Sequence, residues 1–174
     1  MFQLKRVLPV IALSGAFAAG ALLPAYAYPR VGTQAPATAF LSHGRKVSLA
    51  SFHGQKVMLW LFSTWCPSCQ AGLPVLARYE PQFAADHLRL VILENYRDGG
   101  YPGPALQLLM NRYARAAAHA PNWTVGHATR ATAVTYNPQS YPDIFFLIRP
   151  DGTIERVSSA PSAHLQMILD FARS

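Results

Sequence analysis

The chain has 174 residues, of which 51% are hydrophobic and 13% charged, with 15 Lys and Arg against 8 Asp and Glu. That length suits one compact domain, and a high apolar fraction without long charged or heptad segments excludes a disordered chain and a coiled coil. Two cysteines, Cys66 and Cys69, are too few for a multi-bridge scaffold or a four-thiolate zinc site.

Residues 1–27 read as an export segment. Lys5 and Arg6 precede an uncharged stretch from Val7 to Pro24, and Ala25-Tyr26-Ala27 has the small-x-small form of a signal-peptidase site. Cleavage after Ala27 is expected. The competing reading is an uncleaved anchor, since the 17 residues from Val7 to Leu23 are near the minimum that spans a bilayer as a helix. Either way residues 28–174 are expected as one domain in the periplasm or cell envelope, where disulfides persist. Without the segment the net charge falls from +7 to +5, and the remaining arginines, scattered from Arg30 to Arg173, argue against nucleic acid as a partner.

In the exported part, Lys56–Phe62 is a nearly continuous apolar run, the pattern of a strand buried on both faces. Helical spacing then covers Cys66–Tyr79, where Pro74 should introduce a kink. Leu88–Glu94 repeats the strand pattern, and Pro104 to about Ala118 carries Leu106, Leu109, Met110, Tyr113 and Ala117 on one helical face. Asn122–Val125 reads as a short strand and Thr129–Tyr136 as a helical turn. Asp143–Arg149 is a third apolar strand, and the turn Arg149-Pro150-Asp151-Gly152 joins it to a strand over Thr153–Val157 as a hairpin. Ser162 can cap a last helix whose Leu165, Ile168, Leu169 and Ala172 form an apolar stripe. The alternation predicts an α/β fold, a mixed sheet flanked by helices.

The chemistry sits in Trp65-Cys66-Pro67-Ser68-Cys69, between a buried strand and a helix start. A disulfide across so small a loop constrains little of the unfolded chain, so a purely structural bridge is disfavoured. At a helix start, free N–H groups and the positive end of the macrodipole favour a thiolate. Cys66 is therefore expected to be the nucleophile with a depressed pKa, and Cys69, one turn inside, to resolve the mixed disulfide. Pro67 starts the helix without wasting a donor, Ser68 completes the motif, and Trp65 supplies a flat apolar surface beside the sulfur. A Cu(I) site would need a third ligand or a two-coordinate dithiolate, and no metal is assigned.

Several further stretches bear on the fold. Val31-Gly32, Ala35-Pro36, Phe40, Gly44–Leu49 and Phe52–Gly54 precede the core, Asn95–Asp98 follows the second strand, and Tyr141-Pro142 leads into Asp143–Gly152. Together with Val57–Cys69 and Pro74 they make residues 31–174 resemble the thioredoxin-fold thiol-disulfide oxidoreductases of the bacterial cell envelope, the TlpA/ResA/CcmG (DsbE) type. The resemblance implies a thioredoxin-like fold with an N-terminal β-hairpin extension. It also implies a cis peptide bond at Tyr141–Pro142 beside Cys66, with the Tyr141 backbone free to pair with a partner's extended chain. Tyr141 and Pro142 are thereby candidate substrate-binding residues. No cofactor beyond the Cys66–Cys69 disulfide is implied. The implied partners are disulfide-containing envelope proteins, such as apocytochrome c or copper-site proteins, and a membrane electron donor for recharging.

Two positions depart from that pattern. Relatives place a buried acid in the central strand or a Glu three residues after the second cysteine, to take the proton of the resolving thiol, and here those positions are Trp60 and Gly72. Cys69 must then lose its proton to water or another base, with Glu94 or a histidine as candidates. The leading expectation is an exported dithiol reductase of cytochrome c maturation or copper-site assembly type. The alternatives are the reverse reaction, as an oxidase or isomerase, and a Cu(I) carrier using the same two cysteines.

Overall fold

The computed structural model describes residues 28–174, so the export segment expected at 1–27 lies outside the described residues. A seven-stranded mixed sheet runs in the order β2-β1-β5-β4-β3-β6-β7. Its strands are β1 (Ala39–Ser42), β2 (Arg45–Ser48), β3 (Lys56–Phe62), β4 (Leu88–Glu94), β5 (Trp123–Ala128), β6 (Asp143–Ile148) and β7 (Ile154–Ser158). The central trio follows from its apolar runs: β3 pairs in parallel with β4 and antiparallel with β6, and both faces of β3 are buried. Met58, Trp60 and Phe62 point into a core shared with helices α1 (Pro67–Arg78), α3 (Leu106–Tyr113) and α5 (Leu165–Arg173). The alternate residues Val57, Leu59 and Leu61 enter a second core with Phe40, Tyr136 and Ile154. A period of two divides one strand between two cores.

The N-terminal hairpin is β1–β2, and β1 docks antiparallel on β5 through Phe40↔Ala128 and Leu41↔His127. Backbones meet closely at this seam, because a Cβ on Gly126 would lie 2.2 Å from the Leu41 carbonyl oxygen. The closing hairpin β6–β7 turns at Gly152, with φ of 84°, and Asp151 Oδ1 accepts from Thr153 N at 2.8 Å.

Boundaries differ from the sequence expectation where local signals compete. Helix α1 persists across Pro74 as far as Arg78. The expected helix from Pro104 to Ala118 is divided into α3 and a short 3-10 turn at Ala117–His119, with the break at Ala114. Strand β5 runs to Ala128, beyond the expected Val125, because β4 pairs with it as far as Glu94↔His127. Thr129 caps α4 (Arg130–Tyr136), accepting from Thr132 N at 3.3 Å. Ser162 is not a helix cap: residues 161–164 form a turn in which His164 N donates to Ala160 O, and α5 begins at Leu165. A six-residue helix, α2 (Glu80–Ala85), has no counterpart in the sequence reading.

Candidate active site

The site forms where β3 ends and α1 begins. Cys66 occupies the cap position of α1 with an extended backbone, its own N–H donates to Ser63 O at 3.1 Å, and Pro67 follows in the first turn. Both thiols are free and both are buried, Cys66 at 3% exposure and Cys69 at 0%.

The loop before the motif is held by the segment after β4. Buried Asp98 accepts from Thr64 N and Thr64 Oγ1, each at 2.6 Å, and its backbone carbonyl accepts from the Trp65 indole N–H at 2.7 Å. Arg97 and Asp98 both take φ of 52°, the left-handed region in which Asp is better tolerated than most side chains. Trp65 thus lies fixed beside Cys66, its ring edge-on to exposed Tyr101 at 5.2 Å between centroids.

On the other side of the sulfurs stands a residue the sequence reading included in β6 without a role, Asp143. Cys66 Sγ, Cys69 Sγ and an Asp143 carboxylate oxygen lie within 4.8 Å of one another. The carboxylate is buried and accepts from Trp60 Nε1 (2.8 Å) at Oδ1 and from Ser68 Oγ (3.1 Å) and Ala160 N (3.1 Å) at Oδ2. The two departures noted in the sequence resolve into one packing arrangement. A Cβ on Gly72 would approach Trp60 Cη2 at 3.1 Å, so the absent side chain at 72 leaves room for the indole at 60. The indole in turn anchors an acid from the neighbouring strand. Glu94 is instead paired with His127 at 2.8 Å, outside the group that surrounds the sulfurs.

Burial pushes the Cys69 thiol far above its ordinary range, and the Asp143 carboxylate and then Cys66 push it further. Its S–H donates to the Pro142 carbonyl at 3.2 Å. Burial also raises the Glu94 carboxyl, against the opposing effect of His127.

The Tyr141–Pro142 region corrects an expectation. The bond is trans, and no peptide bond among the described residues is cis. A trans proline at the start of a strand is the ordinary isomer and needs no compensation. The chain turns just upstream, at Ser140 with φ of 55°, and Asn137 clamps the next residue. Its side chain accepts from Tyr141 N at 2.8 Å and donates to Tyr141 O at 2.8 Å, while Asn95 Nδ2 donates to the same carbonyl at 3.2 Å. The Tyr141 backbone is therefore engaged within the chain rather than open to a partner strand. What it presents outward is its half-exposed ring, edge-on to Tyr28. Pro142 O accepts from Ser63 N at 2.8 Å as well as from Cys69, which ties β3, α1 and β6 together at the dithiol.

Asp143, Asp98, Asn95 and Asn137 are the site-forming residues that sequence reasoning missed. Asp143 left one signal, a carboxylate opening a strand otherwise made of apolar residues. Two thiolates and a carboxylate match zinc by ligand type, and this is the one such group of three among the described residues. Both Asp143 oxygens already accept protein hydrogen bonds, so an ion would have to compete with Ser68, Ala160 and Trp60.

Comparison with known proteins agrees with this geometry. The AhpC/TSA family matches residues 31–97. Tryparedoxin of Trypanosoma brucei brucei is 33% identical over 106 residues, 58% of this chain and 74% of that protein. The chain belongs to the thioredoxin-like AhpC/TSA family. Solved structures share the fold. A thiol:disulfide interchange protein from Chlorobium tepidum has a TM-score of 0.60 at 19% identity, covering 84% of this chain and 99% of its own. A secreted Mycobacterium tuberculosis disulfide oxidoreductase, described as homologous to Escherichia coli DsbE, has a TM-score of 0.59 at 22% identity, covering 78% and 93%. As a thioredoxin-like member with Cys66 and Cys69 in a C-x-x-C at a helix start, the protein is a thiol-disulfide oxidoreductase.

Proposed function

We propose that the protein is an exported reductase of partner disulfides. Cys66 attacks the partner's disulfide, Cys69 displaces the reduced partner, and a membrane electron donor recharges the resulting disulfide. The observation that carries the direction is the surroundings of Cys69: its thiol is wholly buried, and burial first and the neighbouring Asp143 carboxylate second push it up. A site that stabilises its thiolates favours the reduced form and oxidises others, whereas burial and a carboxylate that oppose thiolate charge at the resolving Cys69 favour giving electrons away. In the resolving step Asp143 is placed to take the Cys69 proton, the task Trp60 and Gly72 leave open. Export is supported by the small-x-small site ending at Ala27 and by the secreted mycobacterial protein of the same fold. Apocytochrome c and copper-site proteins are the partner classes that the envelope resemblance suggests.

Cys66→Ser abolishes exchange, and Cys69→Ser accumulates partners as mixed disulfides because only the resolving step is lost. The decisive experiment is that Cys69→Ser trap in the native envelope, followed by mass spectrometry of the captured chain. Normal turnover by Cys69→Ser would reverse the assigned roles. The potential is expected nearer the thioredoxin value of about −270 mV than the oxidant value of about −120 mV, and equilibration with glutathione buffers reads it. A value at the oxidising end would assign the protein as an oxidase instead.

A further inference from the structure

Ser68 sits between the nucleophile and the acid. Its Oγ donates to Asp143 Oδ2 at 3.1 Å and lies 3.1 Å from Cys66 Sγ. A serine hydroxyl has one hydrogen, and an ionised carboxylate only accepts. With that hydrogen committed to Asp143, the Ser68 oxygen can only receive from Cys66, so the thiol S–H is the donor. The chain is directional: Cys66 S–H to Ser68 O–H to Asp143. Cys69 is not on this hydroxyl chain: its S–H donates to the Pro142 carbonyl, while its Sγ lies within 4.8 Å of an Asp143 carboxylate oxygen.

We infer that Ser68 is a catalytic residue that relays the Cys66 proton to Asp143, making this carboxylate the base that activates the nucleophile. As Cys66 Sγ bonds to one sulfur of a partner disulfide and the partner's S–S bond breaks, the Cys66 proton passes to Ser68 Oγ and the Ser68 proton passes to Asp143. The departing partner thiolate takes a proton back along the same hydroxyl, which returns Asp143 to its anionic form. Cys69 then attacks Cys66 Sγ, its proton goes to Asp143 and on to the second partner thiolate, and the electron pair leaves with that thiolate. Two thiol protons and two electrons leave the enzyme for the partner, and one disulfide forms within the enzyme. Asp143 is a positioning residue toward Cys66, because it acts through Ser68. The inference rests on thiol-disulfide exchange alone and not on export or on the identity of a partner.

The other charged and titratable groups nearby have different engagements. Asp98 is committed to Thr64, Glu94 is paired with His127, and Tyr28 and Tyr141 line the far side of Asp143 in a cavity of about 250 Å³. Among the histidines, cysteines and carboxylates of the described residues, Cys69 and Asp143 are the groups placed with Cys66 in the 4.8 Å cluster. Pro67 and Ser68 are thus unequal members of the motif, one shaping the helix start and the other holding the proton path.

The test is the rate at which iodoacetamide alkylates Cys66 in the reduced full-length chain, read by mass spectrometry of its peptide across pH. Near pH ~6, above the ordinary carboxylate range and below the ordinary thiol range, Ser68→Ala and Asp143→Asn should each slow the reaction by on the order of tenfold. The double variant should lose no more than either single one, Ser68→Thr should keep the rate, and all should converge at alkaline pH where the thiolate forms unaided. A fixed charge acting without a relay has the opposite signature: Asp143→Asn would speed alkylation and Ser68→Ala would leave it unchanged. That result, or losses that add in the double variant, overturns the inference. If Asp143→Asn does not fold, Ser68→Ala against Ser68→Thr decides, since equal rates for the two exclude the hydroxyl.

Discussion

Asp143 shows how one residue can change the chemistry of two others. Its carboxylate is buried beside both sulfurs, and together with burial it keeps the Cys69 thiol protonated far above the ordinary value of 9.0. A thiol whose folded pKa is raised contributes stability that is intact below its unfolded pKa and is lost as pH rises above it. The reduced protein should therefore lose about 1.4 kcal/mol of unfolding free energy per pH unit above ~9 relative to Cys69→Ala, in which that titration is absent. Urea unfolding of both proteins under reducing conditions, at pH ~8 and pH ~10.5, measures the difference in slope; parallel slopes would show that Cys69 titrates normally. The identity of the acid was not legible in the sequence. Asp143 meets Ser68 and Trp60 across separations of 75 and 83 residues, and no local pattern encodes such a contact. Glu94, one of the candidate bases, is paired with His127 instead.

At the scale of elements, the loop between β3 and α1 depends on a segment more than thirty residues further along the chain. Asp98 supplies both carboxylate oxygens to Thr64 and its carbonyl to Trp65, and the close packing there leaves no room for a side chain at Gly103, whose Cβ would fall 2.2 Å from Thr64 Oγ1. Asp98→Ala leaves the buried Thr64 N–H without its acceptor. The loss should cost about 2–3 kcal/mol, as for hydrogen bonds to a charged group, and slow reduction of a model disulfide because Thr64, two residues before Cys66, loses the carboxylate that holds its N–H and hydroxyl, while the backbone carbonyl that holds Trp65 remains. Urea unfolding and a turnover assay test the two effects separately. Sequence reading placed β3 and β4 residue for residue because each is a continuous apolar run with its own signal. It placed the start of α5 less well, because Ser162 has the chemistry of a cap but the turn ending at His164 occupies that position. The family resemblance implies a Tyr141 backbone open to partners, whereas the side-chain amides of Asn95 and Asn137, from two other segments of the chain, engage it.

The described residues form one sheet with a core on each face, and the active site sits at the end of the strand that feeds both. The N-terminal hairpin covers Tyr136 and Phe146 through Phe40 and is joined to the rest at the close contact of Gly126 with Leu41. Gly126→Ala would set a Cβ against backbone, which a rotamer change cannot relieve. A loss of about 1–3 kcal/mol is expected, with the hairpin rather than the dithiol end yielding first. Hydrogen exchange resolved by segment checks which end opens. By itself the sequence determined the α/β class, the central strands and the thiol pair at a helix start, because periodicity, apolar runs and motif spacing are local properties of the chain. Only the tertiary structure decided which acid faces the sulfurs, which hydroxyl links them and which backbone groups are already taken. Those contacts join β3, α1 and β6, and they exist only once the sheet has brought distant segments within a few ångströms.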